Sequence, residues 1–389
     1  MSGAAGQRGI DIVVTVDGGS IVDVSIANHR PLGLASHLIG MEPSEALRQI
    51  TKLFSICQLV QGTAGCMAIE EALGIDLAPS HKAARELLVY GETVMEHATC
   101  ALLSWPALLG QMPTGLPALR LIRSGLADLW RAVYPDGDWM RPGGGRLAPD
   151  IAAVDSRLAM AGRAMEEAGL RLSLDAGGWR GSLATNGPTT TLLEMLETEA
   201  WAGCGISNIP LMRDSGGSML EQHLASDHDG AYAARPEWQG AARETGPLAR
   251  RLLEPLVQDM IAEHGLGLAS RFFSQAVDTT RCFEEMLHVA PRVSEAEMQP
   301  IGNGDGTGLG MVEAARGWLV HRVEIAHGVI RRYQVVAPTE WNFHPRGTFA
   351  RGLIEGRGGP PPQRLAELMV AALDPCVPCQ VTMENHSSK

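Results

Sequence analysis

The hydrophobic pattern of this chain changes period twice, and that change limits the folds open to it. Residues 10–28, IDIVVTVDGGSIVDVSIAN, alternate as two strands around Asp17-Gly18-Gly19, a hairpin turn signal. From Pro43 the spacing becomes helical. SEALRQITKLFSICQLV reads as one helical run that ends near Cys57, and AGCMAIEEALGI follows. HKAARELLVYGETVMEHATCALLSW continues as a long helix that Pro106 should end or kink. Helical pattern returns over 115–132 and 149–170, and again over 246–264 and 267–289. Residues 134–148 form a loop, and 202–240 carry no periodicity. GMVEAARGWLVHRVEIAHGVIRRYQVVAPTEWN then reads as β-structure, with two strands joined at His327-Gly328. After GGPPPQ and a short helix the chain closes on DPCVPCQVTMENHSSK. This order predicts a helix-dominated α+β fold and excludes a doubly wound sheet, which needs alternating βα units. A single unit over 1–389 is expected. It divides into an N-terminal β-hairpin region (1–42), a mostly helical core (43–300) and a β-rich segment with a cysteine-bearing tail (301–389).

Composition narrows the function. With 45% apolar residues among 389, the chain can bury a sizeable core. A net charge of -12 argues against nucleic acid as a partner, because phosphate neutralisation needs a basic stripe. No apolar run reaches the roughly eighteen residues of a transmembrane helix, so no membrane insertion is expected. MSGAAGQRGIDIVV lacks the apolar stretch of a signal peptide. Seven scattered cysteines suit reduced thiols in a cytoplasm better than a disulfide framework.

Cys376-Val377-Pro378-Cys379 is the most suggestive local feature. A C-x-x-C pair brings two sulfurs within reach of one metal ion or of each other. As half a zinc site it has only His386 nearby as a further ligand. As a redox pair it should open a helix after a strand, yet it follows a helix. A pair of thiols with no role is the third reading. Cys57 alone reads more readily as a buried small hydrophobe than as a ligand, and Cys66 and Cys100 more readily still. Cys204 and Cys282 have no partner at ligand spacing. Arg316 is either an exposed residue at a strand end or a guanidinium offered to an anion. His321 and His344 read as ordinary hydrogen-bonded side chains. Gly302, Gly304, Gly306 and Gly308 read as a flexible loop, without the strand–turn–helix setting of a nucleotide site.

Five stretches, in order along nearly the whole chain, resemble the large subunit of nickel–iron hydrogenases. Asp374-Pro375-Cys376-Val377-Pro378-Cys379 matches that family's D-P-C-x-x-C. Glu313-Ala314-Ala315-Arg316-Gly317 resembles its E-A-P-R-G, with His321 at the position of a following His. Pro338-Thr339-Glu340-Trp341-Asn342, with Pro345, resembles P-[TS]-x-W-N-x-x-P, and Thr245-Gly246-Pro247-Leu248-Ala249-Arg250 resembles a further stretch. Ile56-Cys57-Gln58-Leu59-Val60 falls at I-C-G-x-C. The resemblance implies a nickel–iron hydrogenase large-subunit-like fold. In that family four thiolates hold a Ni–Fe centre whose iron carries cyanide and carbon monoxide.

The departures set the functional expectation. Val60 replaces one bridging Cys, Ala64 the family's following His, Ala315 the Pro before Arg316, and Thr382 the final His or Arg. Glu96 stands where the family has Asp, and the N-terminal R-I-E-G-H stretch has no counterpart. Kept are Cys57, Cys376 and Cys379 as metal ligands, with Arg316 and Thr339 at the positions that donate to the cyanides. This pattern resembles the degenerate HupK/HoxV-type maturation relatives of the large subunit. It implies a scaffold, not an enzyme, that receives an Fe(CN)2CO fragment from HypC/HypD-like chaperones and passes it to an apo large subunit. The iron would be bound transiently, and nickel is not expected. An atypical hydrogenase with altered nickel ligation, or an assembly chaperone that binds no metal, are the alternatives.

Overall fold

A computed structural model describes residues 9–29, 36–54, 57–213, 216–301, 304–356 and 359–386. Ile56 and Gly302 therefore lie outside the described residues. The first hairpin forms as its turn signal predicts. β1 (Ile10–Asp17) and β2 (Ser20–Asn28) pair antiparallel. Gly18 and Gly19 both have positive φ, +54° and +84°, which the tight two-residue hairpin turn requires.

The C-terminal tail, read above only as a cysteine-bearing end, contains a strand. Its β6 (Cys379–Asn385) lies parallel to β1, with Ile10 opposite Cys379 and Val16 opposite Asn385, and completes a sheet of order β2-β1-β6. No turn signal announces such a pairing, because the partner strands stand at opposite ends of the sequence. His386 follows β6, so seven residues of extended chain, roughly 23 Å, separate it from Cys379. It is not a ligand companion of the C-x-x-C pair in this arrangement.

The second sheet has three strands where two were expected: β3 (Gly306–Ala314), β4 (Gly317–Ala326) and β5 (Val329–Val336), in that order and antiparallel. The stretch read as a flexible glycine loop provides the start of β3. Gly306, Gly308 and Gly310 face helix α2 (Gln58–Ala72), and a Cβ on each would run into the carbonyl oxygens of Ala72, Ala68 and Ala64 in turn. Two residues of strand advance about 6.7 Å and four of helix about 6 Å, so each glycine meets the next helical turn. Glycine here marks close approach of two backbones.

The helical run from Ser44 is broken. α1 (Pro43–Leu53) ends at Phe54, and Cys57 is the N-cap residue of α2, at its start and not at the end of a preceding helix. The reason lies outside the segment. Glu92, on α3 (Pro79–Thr99), accepts the backbone N–H groups of Leu59 and Val60 at 3.0 and 2.9 Å and so caps α2 from a distance. α3 itself runs into a π-helical turn, Cys100–Ser104, and then one more α-turn to Leu108. Pro106 thus neither ends nor sharply stops the helix at its own position; the wider turn lies just before the residue that cannot donate.

Residues 202–240, expected to be irregular, include helices Gly217–Ser226 and Ala231–Ala234. Their Leu220, Leu224 and Ala233 are buried against Met212, Val320, Val336 and Trp341, so tertiary packing supplies what local periodicity lacks. The 246–264 run is two helices, Pro247–Arg250 and Pro255–His264. The 267–289 expectation holds as helix Leu268–Val289, buried along most of its length against α3. Among the described residues no helix is long and apolar enough to cross a membrane.

Candidate thiol site

Three of the sequence stretches singled out above lock together at the β3–β4 turn. Gly246 has φ +116° and Gly317 has φ +124°; a Cβ on the first would press on the Arg316 carbonyl, and on the second against the Thr245 side chain. Thr245 Oγ1 accepts the Trp318 N–H at 3.0 Å, and Asn342 Oδ1 accepts the Thr245 N–H at 2.9 Å. Asn342 Nδ2 donates in turn to the Arg316 carbonyl at 3.4 Å. Arg250 Nη1 donates to the Ala314 carbonyl at 3.0 Å. These contacts fix where Arg316 leaves the backbone.

Arg316 is not the exposed residue that one reading allowed. Its Nη2 bonds Glu96 Oε2 at 2.9 Å, and its Nε reaches the Asp374 carbonyl at 2.6 Å and Asp374 Oδ2 at 2.9 Å. Asp374 itself adopts a left-handed φ of +44° at the end of helix Pro362–Leu373. Arg316 thereby ties the β3–β4 turn to the segment that carries Cys376. The Glu96 and Asp374 charges hold the guanidinium firmly in its charged form although burial opposes it.

Cys57, Cys376, Thr339, Arg316, Glu92 and Gln61 line one small cavity of about 30 Å³. Thr93, Glu96, Leu319 and residues 314–315 and 337–338 line it as well. Thr339 Oγ1 lies 3.4 Å from Cys376 Sγ. Val60, where the family places a bridging Cys, also lines the cavity, so its wall there is aliphatic. Cys379 lies elsewhere. It opens β6, packs at the edge of the main core beside Val377 and Val381, and its thiol lies 3.9 Å from the Val377 carbonyl. The sulfurs of Cys57, Cys376 and Cys379 do not all fall within 4.8 Å of one another. Among the described residues the one ligand-type cluster of that tightness is Glu197, Glu263 and His264. Arg180 already bonds both of those carboxylates.

Burial dominates the local acid–base chemistry. The Cys57 thiol is pushed up to about 12, mainly by desolvation and then by Cys376 and Glu92. Cys379 is likewise pushed up to about 12 by burial. Cys57 is therefore a thiol at neutral pH, and any soft metal that binds it must displace a proton. Glu92 is raised to about 7 by burial, against the lowering effect of its two backbone N–H donors. His321 is fully buried and bonded to Tyr333 and Gln61, and His344 accepts the Arg346 N–H, as their ordinary reading predicts. Cys66, Cys100 and Cys282 are core residues.

Glu92 and Gln61 are site residues that sequence reasoning missed. Glu92 left a signal: Glu92 and Glu96 stand four apart on one helix, a like-charge pair that an isolated helix disfavours and that a cap and a buried arginine explain. Gln61 left none, since a single Gln four residues after a Cys is unremarkable on any helix.

The helical core and its two three-stranded sheets have the fold of a nickel–iron–selenium hydrogenase large subunit. The chain superimposes on the reduced, active nickel–iron–selenium hydrogenase from Desulfomicrobium baculatum with a TM-score of 0.73, covering 93% of this chain and 95% of that one at 18% identity. Residues 260–382 match the nickel-dependent hydrogenase family. Over nearly its full length the chain is similar to two curated proteins. One is the hydrogenase expression/formation protein HupK of Rhizobium leguminosarum bv. viciae, 26% identical and covering 97% of each chain. The other is HoxV of Cupriavidus necator, 29% identical and covering 92% of each. Residues 260–382 thus carry the pattern of the nickel-dependent hydrogenase family, and the chain as a whole is similar to these hydrogenase expression/formation proteins.

Proposed function

We propose that this protein acts in hydrogenase maturation as a cytoplasmic scaffold, not an enzyme. It holds an Fe(CN)2CO fragment as cargo and passes it to an apo large subunit. The names of the expression/formation relatives support the maturation role. The carrying observation for the finer reading is that Cys57 and Cys376 share one cavity with Thr339 and Arg316 while Val60 occupies its wall. Two soft sulfurs suit iron, and charge-assisted and hydroxyl donors suit cyanide nitrogen. The valine wall cannot donate to a second metal.

A cavity of about 30 Å³ takes little more than one water-sized group, so iron with three diatomic ligands enters only when the site opens. The 374–378 segment is the movable wall in this reading, held by the Arg316–Asp374 contact. Cys57 and Cys376 are the pair offered by the closed arrangement, and Cys379 joins as a third sulfur when that segment lifts. HypC/HypD-like chaperones supply the cargo. Metal analysis of protein co-expressed with the maturation machinery tests this: about one iron per chain without nickel is expected, falling sharply in Cys376→Ala and Cys57→Ala. Iron content unchanged by both substitutions contradicts the reading.

A further inference from the structure

A chain of hydrogen bonds runs from the second sheet to the Cys57 sulfur. Tyr333 Oη lies 2.7 Å from His321 Nδ1, His321 Nε2 lies 2.8 Å from Gln61 Oε1, and Gln61 Nε2 lies 3.7 Å from Cys57 Sγ. Tyr333, His321 and Gln61 are 5%, 0% and 2% exposed, so each polar atom depends on protein partners.

The direction of the chain follows from the far end. Among the described residues the bonded partner of the Tyr333 hydroxyl is His321. If the hydroxyl only accepted, its buried O–H would be left unmade, at a cost of about 1–3 kcal/mol. It therefore donates to Nδ1. Burial keeps His321 neutral, lowered to about 3, so its one proton sits on Nε2 and goes to Gln61 Oε1. With its oxygen so engaged, the carboxamide can turn only its NH2 towards the sulfur.

We infer that Gln61 is a positioning residue for Cys57. Its locked NH2 aims the sulfur into the cavity and draws electron density from it, making Cys57 a weakened ligand suited to releasing a soft metal. The consequence for release rests on the scaffold reading above; the relay does not. Hydrogen bonds to sulfur are a general means of tuning a thiolate's hold on a metal.

Two measurements test it. In metal-free protein with 15N-labelled histidine, nuclear magnetic resonance should find His321 neutral and protonated on Nε2. The Nδ1–H tautomer overturns the relay. With anaerobic Co2+ as the probe, Gln61→Leu should move the sulfur-to-cobalt charge-transfer band to lower energy and tighten binding severalfold. Tyr333→Phe, remote from the sulfur, should move the band the same way by less. Bands unchanged in both folded variants overturn the positioning role. Failure of the wild type to bind Co2+ counts against the scaffold reading, while the tautomer still decides the relay.

Discussion

Arg316 and Asp374, fifty-eight residues apart, form one joint: the guanidinium Nε reaches both the carbonyl and the carboxylate of Asp374, at 2.6 and 2.9 Å. The joint connects the β3–β4 turn to the segment bearing Cys376. Removing one member leaves the other charge poorly solvated, since the side chains are only 13% and 23% exposed. Arg316→Met should cost on the order of 3 kcal/mol in urea unfolding. It should also speed proteolysis within 374–378. A variant as stable and as protease-resistant as the parent would mean that the joint does not hold the segment.

Glu92 gives a pH dependence of known sign. Its folded value, near 7, lies above the ordinary carboxyl value of 4.5, so between those values the folded state binds the extra proton. The stability it contributes is present below about pH 4.5, falls as pH rises towards 7 and is flat above. Glu92→Gln removes this dependence. The wild type should lose roughly 2–3 kcal/mol relative to the variant between pH 4.5 and 8, read by urea unfolding at each pH. A difference that does not vary with pH would contradict the assignment.

The glycines of β3 separate close approach from mere flexibility. Gly308→Ala and Gly310→Ala drive a methyl into the backbone of α2 and should each cost about 3 kcal/mol or more. Gly304→Ala, which meets nothing closer than 3.9 Å, should stay within about 0.5 kcal/mol. Equal effects at all three positions, measured by thermal unfolding, would rule out the strand–helix contact.

Metal binding at Cys57 should also depend on pH. With the thiol near 12, binding of a soft divalent ion releases its proton, and affinity should rise about tenfold per pH unit for this sulfur across pH 6–9. A pH-independent affinity would place the metal on other atoms.

Much of this architecture was legible in the residues, and the failures share a cause. The hairpin around Gly18-Gly19 and the long Leu268–Val289 helix carry their signals locally, in turn residues and periodicity. β6, the break between α1 and α2, and the helices of 202–240 do not. β6 pairs with the far end of the chain, Glu92 caps α2 from α3, and Leu220 and Leu224 find their partners on the second sheet. The β3 glycines carry no distinguishing signal, because flexibility and backbone contact use the same residue. At the site, the sequence named Cys57, Cys376, Arg316 and Thr339, which one cavity brings together. It could not tell that Cys379 begins a strand against the core, nor that Gln61 would be turned by a histidine two hundred and sixty residues away.

On the proposed scaffold role, this fold holds an iron fragment with its diatomic ligands and no nickel. Protein purified after co-expression with the hydrogenase maturation machinery should give an infrared spectrum with cyanide and carbonyl stretching bands, alongside iron and no nickel by metal analysis. The bands should be lost in the double variant Cys57→Ala, Cys376→Ala. A wild-type spectrum without those bands, from protein that carries no iron, would contradict the scaffold and leave a chaperone that recognises proteins alone.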